Sequence, residues 1–213
     1  MTNNQKLIAG LKRENDWLHH ELNHRVRNIL QVALSLLNTQ LFFSENDGVT
    51  DAIRDNQRRI LVLALAYAQV GDGDFSGLIP MNKYIPALLR HVRESFDLVQ
   101  QLCMDPDIED IKLNANEAIA VGIIVNEAVY KTIQSGLRNS ALVNIRISLH
   151  LLGENDVRLV MSDNIGWSWS LFCQGKRSLP SELIKGLARD LDATILMTYE
   201  DGAGLIIEFK KPT

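Results

Sequence analysis

Between Gln5 and Phe43 the chain runs without a proline and with a single glycine, Gly10. Over that stretch Ile8, Leu11, Leu18, Leu22, Ile29, Ala33, Leu36 and Leu37 recur at spacings of three, four or seven, the period of an amphipathic helix. One long helix is therefore expected. A polar break at residues 44–48 precedes a second periodic stretch from about Asp51 to Val70, with Ile53, Ile60, Leu63, Ala64, Tyr67 and Ala68 on one side. The two helices read as an antiparallel hairpin. A two-helix hairpin cannot close a core alone, because each amphipathic helix needs apolar neighbours on more than one side. Two copies forming a four-helix bundle is the favoured solution, and packing on the C-terminal half of the same chain is the alternative.

The 213 residues are 46% hydrophobic, enough for one good core or two small ones. A charged fraction of 23% and a net charge of −4 argue against bulk disorder and against a strongly basic nucleic-acid binder. Cys103 and Cys173 are the two cysteines, with no CxxC, so neither a disulfide framework nor a cysteine zinc site is expected. The start, MTNNQKLIAGLKREND, lacks the basic-then-apolar order of a secretory signal, and no uncharged apolar run reaches the roughly 18 residues of a membrane span. The expectation is a cytoplasmic protein without nucleic-acid or membrane partners.

Residues 71–80, GDGDFSGLIP, concentrate Gly, Asp and Pro and read as a linker, placing two domains at 1–72 and 73–213. Beyond it, Met81–Phe96 looks helical, and Leu98–Met104 and Asp110–Leu113 look like short strands. Asn114-Ala-Asn-Glu117 is a capping-box pattern opening a helix to about Ser135. Strand patterns follow at Val143–His150 and Val157–Met161, then a helix at about Ser181–Leu191. Strands at Thr194–Tyr199 and Leu205–Phe209 are joined by Asp201-Gly-Ala-Gly204, a hairpin-turn sequence. The class is α+β, a helical hairpin followed by an α/β sandwich. With both regions assigned, no stretch remains for an input domain, so sensing is expected to come through a partner.

The candidate chemistry lies in Glu21-Leu-Asn-His-Arg-Val-Arg-Asn28. His24 stands beside an apolar side marked by Leu22, Val26, Ile29 and Leu30, with an acid, a cation and an amide within one turn. Neutral imidazole near pH 7 suits a nucleophile attacking phosphorus. Glu21 can orient or deprotonate it, Arg25 can neutralise phosphoryl oxygens, and Asn28 can position a water for the reverse hydrolysis. By spacing alone, a solvated surface histidine is the commoner reading, as for His19 and His20.

The string ELNHRVRNILQVALSLLNTQ resembles the phosphoacceptor helix of the HWE-type histidine kinases and their sister family. NQRRILVLALAYAQV resembles the second helix, AIAVGIIVNEAV the start of the nucleotide-domain helix, and ATILMTYEDGAGLIIEF its last hairpin. The resemblance runs from about Leu18 to Lys210. It implies that His24 is the phosphorylated histidine, flanked by the family's Arg25 and Asn28. It also implies a dimeric helical bundle attached to an ATPase-like sandwich.

Three nucleotide signatures depart from that family. Glu127 is kept, but Lys131 stands where the family has an asparagine that holds magnesium, and an ammonium has no lone pair for a hard cation. Lys131 is open to two other readings, a new phosphate contact or a solvated lysine. Ser162-Asp-Asn-Ile-Gly-Trp167 keeps Asp163, Asn164 and Gly166 of an adenine-reading motif with its glycine spacing broken. The phosphate loop near 175–184 contains Pro180, which has no N–H, and Glu182, which adds negative charge. Trp167 and Trp169 are candidates to fill the place of the nucleotide. Glu127, Asp163, Asn164 and Gly166 are thus vestigial cofactor residues, and no ATP, magnesium or other metal is expected to be held firmly.

An intact phosphoacceptor beside a damaged nucleotide site implies a histidine phosphotransferase of a two-component phosphorelay. Its partners would be response-regulator receiver domains and an upstream hybrid histidine kinase. A divergent kinase that still uses ATP, a non-catalytic decoy and a phosphatase that places water with Asn28 are the competing readings.

Overall fold

The computed structural model describes residues 3–70, 77–96, 101–138, 142–166, 179–198 and 203–211. Contacts divide the chain into two compact units, Met1–Ile79 and Pro80–Thr213. The division falls inside the Gly/Asp/Pro-rich segment.

The first unit is a helical hairpin of α1 (Asn3–Phe42) and α2 (Asp47–Gln69). The second helix starts earlier than its apolar period predicts, because Asn46 caps it: Oδ1 accepts from the N–H groups of Gly48 at 2.9 Å and Val49 at 3.2 Å. Thr50 Oγ1 donates to Ser44 Oγ at 3.0 Å and ties the first turn to the loop. Gln57 Nε2 donates to Asn38 Oδ1 at 2.7 Å across the hairpin and marks its register. Within α2, Ile53, Val62 and Ala66 are buried.

Along α1 the apolar residues fall on two stripes rather than one. Val26, Leu30, Ala33, Leu37 and Leu41 are partly covered, and α2 is the helix that α1 packs on. Leu22 and Ile29, which share a single apolar side with Val26 and Leu30 in the sequence reading, are 57% and 66% exposed.

In the second unit the order is α3 (Met81–Glu94), β2 (Leu102–Ile108), β3 (Lys112–Leu113), α4 (Ala115–Arg138), β4 (Val143–Leu151), β5 (Asp156–Asp163), α5 (Leu179–Asp190), β6 (Thr194–Thr198) and β7 (Ala203–Lys210); a two-residue strand, β1 (Ile79–Pro80), lies at the division. The five-stranded sheet has the order β2-β4-β5-β7-β6, with β2 parallel to β4 and the other pairs antiparallel. Strand alternation turns Val143, Ile145, Ile147 and Leu149 of β4 inward, and likewise Val157, Leu159 and Met161 of β5. Helix α4 is buried almost all round, as a helix central to its unit must be. The capping box forms as the sequence predicts: Glu117 N–H donates to Asn114 Oδ1 at 3.0 Å, and Asn114 N–H to Glu117 Oε2 at 3.2 Å.

The largest departure from the sequence reading is β2, expected at Leu98–Met104 and found at Leu102–Ile108. It pairs residue by residue from Leu102↔Val143 to Ile108↔Leu149 and carries Pro106, which a strand at the sheet edge tolerates. Leu102 is its one buried side chain, so no alternation announces it. Residues 97–100 and the turn before Ala203 lie outside the described residues.

Candidate functional site

His24 is exposed on α1. The hairpin register places it near the level where α2 runs out, since Gln69 lies twelve residues beyond Gln57 and therefore opposite about Val26. Asn28, one turn along, sets its Nδ2 at 3.3 Å from the imidazole Nδ1. In that orientation the amide donates to Nδ1. In the opposite orientation Oδ1 accepts an Nδ1 proton and leaves the lone pair at Nε2.

Glu21 is placed differently from the sequence expectation. Its Oε1 accepts from Arg25 Nε at 2.6 Å, so the carboxylate is engaged by the guanidinium one turn away rather than by His24. That hydrogen bond, and then the charge of Arg25, hold the Glu21 carboxyl below its ordinary range. Arg25 is 71% exposed at its side chain, so the pair is a surface pair of small worth to stability.

The second candidate site is built on α4 and the end of β5. Asp163 lies at the inward end of the β5 row and is 4% exposed. Its Oδ1 accepts from the backbone N–H groups of Ile165 at 2.8 Å and Gly166 at 2.7 Å, and Oδ2 accepts from Thr132 Oγ1 at 3.3 Å. Gly166 has φ +66°, which lets the chain turn back onto the carboxylate. Asn164 is spent on the sheet: Oδ1 accepts from Asn144 N–H at 2.8 Å and Nδ2 donates to Leu142 O at 2.8 Å. Glu127 and Asn126 are buried at 3% and 2% exposure, and Asn126 Nδ2 has no hydrogen-bond partner. Lys131 is exposed, with Nζ donating to Gln134 Oε1 at 3.2 Å.

The family resemblance implies magnesium and ATP at this second site. The donor set does not fit the ion, because an ammonium stands at the position that would supply an oxygen ligand. Among the described residues, no group of three His, Cys, Asp or Glu side chains is arranged to hold a metal. Residues 179–184 of the expected phosphate loop are the start of α5, with Pro180 in its first turn and Glu182 3.5 Å from Lys185. Residues 167–178, with Trp167 and Trp169, lie outside the described residues.

Sequence reasoning missed Thr132 as the partner of Asp163. The two are 31 residues apart, and the signal for the contact is only that Thr132 follows Lys131 in the helix that carries Glu127.

Residues 21–96 match the family model HisKA_2, described as histidine kinase. That segment, about a third of the chain, is similar to the histidine kinase family. The match begins at Glu21 and runs through α3, in agreement with the HWE-type core that the motif around His24 resembles. Among solved structures, the chain is similar to the histidine kinase domain from the Erythrobacter litoralis EL346 blue-light activated histidine kinase. The two are 20% identical over 94% of this chain and 93% of that one, with a TM-score of 0.61. It is also similar to a structure titled Erythrobacter litoralis EL346 blue-light activated histidine kinase, 16% identical over 90% of this chain and 59% of the other, with a TM-score of 0.67. At these identities the likeness is one of fold. Comparison with curated proteins finds no match. Among the described residues, no helix is long and apolar enough to cross a membrane.

Proposed function

We propose that this chain is a phosphotransferase, a homodimer that carries a phosphoryl group on His24 between the aspartates of response-regulator receiver domains in the cytoplasm, without an ATP-driven step of its own. The observation that carries the reading is Lys131 at the magnesium-ligand position, one turn from Glu127. The engagement of the Asp163 carboxylate by two backbone N–H groups and the Thr132 hydroxyl supports it.

In this mechanism the receiver brings the acyl phosphate and its own metal site. The lone pair of a His24 ring nitrogen attacks phosphorus, an N–P bond forms, and the P–O bond to the receiver's aspartate breaks with its electron pair leaving on the carboxylate. An aspartate of a second receiver reverses the step and returns the electron pair to the imidazole. With its amide turned so that Oδ1 accepts the Nδ1 proton, Asn28 fixes the tautomer that presents the Nε2 lone pair to the incoming phosphorus. Arg25 exchanges Glu21 for phosphoryl oxygens as negative charge arrives. An upstream hybrid kinase is the source of the first phosphoryl group.

The second reading is a kinase that labels His24 from ATP, favoured by the likeness in fold, over nearly the whole chain, to a domain titled a histidine kinase. One pair of assays separates the two. Purified chain is mixed either with radiolabelled magnesium-ATP or with a labelled phospho-receiver, with His24→Ala alongside. Acid-labile label from the receiver only, absent in His24→Ala, is the expected result. Label from ATP overturns the relay reading in favour of the kinase. A receiver that loses label without labelling His24 overturns it in favour of the phosphatase.

A further inference from the structure

Helix α3 and the edge strand β2 form a groove within the second unit that uses none of the residues named for either candidate site. Pro86, Leu89, Arg90 and Arg93 recur at the spacing of one helix face, and with Met104 and Pro106 of β2 they line a cavity of about 190 Å³. Leu89 is buried at 3% exposure, Pro86 and Met104 are partly buried, and Pro106, Arg90 and Arg93 are exposed. The cavity is smaller than the roughly 300–1,000 Å³ of a site that encloses a small molecule. Its size suits a single apolar side chain.

The backbone of β2 decides how a partner chain can lie there. Val143 N–H donates to Gln101 O at 2.9 Å and Glu109 N–H to Leu149 O at 3.0 Å. Odd-numbered residues of β2 therefore turn their main-chain groups to β4, and even-numbered ones turn theirs to the open edge. At that edge Leu102 O accepts from Arg93 Nη2 at 3.1 Å, and Pro106 has no N–H. A long added strand would lose its pairing at both places, so an occupant is held by its side chains.

Those side chains meet cations. Met104 and Pro106 turn toward α3, which leaves Asp105 and Asp107 on the other face of β2, where Asp107 lies 3.0 Å from His150. Glu94, at the end of α3, is 3.6 Å from His91. Among the described residues that line the groove there are two guanidinium groups and no carboxylate. An apolar socket rimmed by arginines fits an apolar anchor flanked by carboxylates.

We propose that the groove between α3 and β2 is a docking site for an extended acidic segment of a partner protein, which seats one leucine-sized side chain against Leu89 and Met104 and sets its carboxylates on Arg90 and Arg93. Burial of the anchor supplies the affinity, and the guanidinium–carboxylate pairs set the direction of the segment. The site is independent of where the phosphoryl group on His24 comes from.

Fluorescence anisotropy on the full chain tests it. The probe is a fluorescein-labelled heptapeptide with a central leucine and three glutamates on each side, compared with a version whose leucine is alanine. The native chain is expected to bind the leucine probe about tenfold more tightly than the alanine one, and Arg90→Glu is expected to weaken the leucine probe by a similar factor. Met104→Trp fills the cavity and is expected to erase the preference for leucine. Arg90→Glu changes an exposed side chain, so its result decides even where Met104→Trp fails to fold. Absence of binding, or binding indifferent to Arg90→Glu, overturns the proposal. Equal binding of the two probes, with inorganic phosphate displacing both, overturns it in favour of a simple anion site. Self-association in sedimentation equilibrium that Arg90→Glu abolishes overturns it in favour of a second copy of this chain.

Discussion

Thr132 on α4 donates its hydroxyl to Oδ2 of Asp163 at the end of β5, 3.3 Å away, and so ties the central helix to the sheet. With Oδ1 accepting two backbone N–H groups, the carboxylate acts as a clamp on the segment 164–166. Asp163→Ala leaves those donors and a cavity in a buried setting. It is expected to lower stability by about 3 kcal/mol, read as the shift in urea midpoint. Thr132→Val is expected to cost about 1 kcal/mol. A stability loss of that size on Asp163→Ala, without a change in nucleotide affinity, distinguishes a clamp from an adenine reader.

Gly122 sits where α4 passes Tyr84, a side chain with no exposure. A Cβ at residue 122 meets the tyrosine hydroxyl and ring. Burial also pushes the Tyr84 hydroxyl pKa up, so ionisation offers no relief. Gly122→Ala is expected to destabilise the second unit by about 2 kcal/mol despite the better helix propensity of alanine. Thermal unfolding checks it, and Tyr84→Phe in the same chain is expected to recover part of the loss.

The capping box makes a pH prediction. Burial raises the Glu117 pKa, only partly offset by the Asn114 hydrogen bond and the charge of Lys211. A carboxyl with a raised folded-state pKa keeps its proton longer in the folded protein. Stability is therefore highest below the ordinary carboxylate range and falls as pH rises through the raised value. Glu117→Gln preserves the reciprocal bond and removes that loss, so its advantage over the native chain is expected to grow from acid to neutral pH. Asn114→Ala breaks the box and is expected to cost about 1 kcal/mol at every pH.

Asn28 and His24 are neighbours at one helical turn, and the function proposed for them depends on which amide atom faces Nδ1. An acceptor there holds the Nδ1 proton and leaves Nε2 nucleophilic. Asn28→Asp keeps an acceptor and is expected to retain phosphoryl acceptance, whereas Asn28→Ala is expected to slow it about tenfold. Initial rates of label transfer from a phospho-receiver check both.

The Glu21 carboxyl, held low by Arg25, has the opposite sign to Glu117. The small contribution of the Glu21–Arg25 pair is present above the ordinary Glu pKa and is lost as pH falls through the lowered value. Carboxyl titration by NMR is expected to show the Glu21 midpoint returning to the ordinary range in Arg25→Leu.

Much of the first site was legible before any coordinates. Glu21, His24, Arg25 and Asn28 are within seven positions of one another on one helix, where a 3.6-residue period alone decides who is adjacent. The same locality made the capping box, the long α1 and the alternation of β4 readable. The local period could not say which neighbour Glu21 chooses, because His24 and Arg25 both lie about one turn away.

What the sequence by itself determined was therefore everything set by backbone geometry over a few residues: helix, strand, cap, and the constellation around His24. Tertiary structure alone decided which of the two apolar stripes of α1 meets α2, that β2 reaches Ile108 through Pro106, and that the Asp163 carboxylate is consumed by Thr132 and its own turn. Those outcomes depend on segments distant in the chain competing for the same surface or the same lone pairs. No pattern within a single segment records who wins that competition.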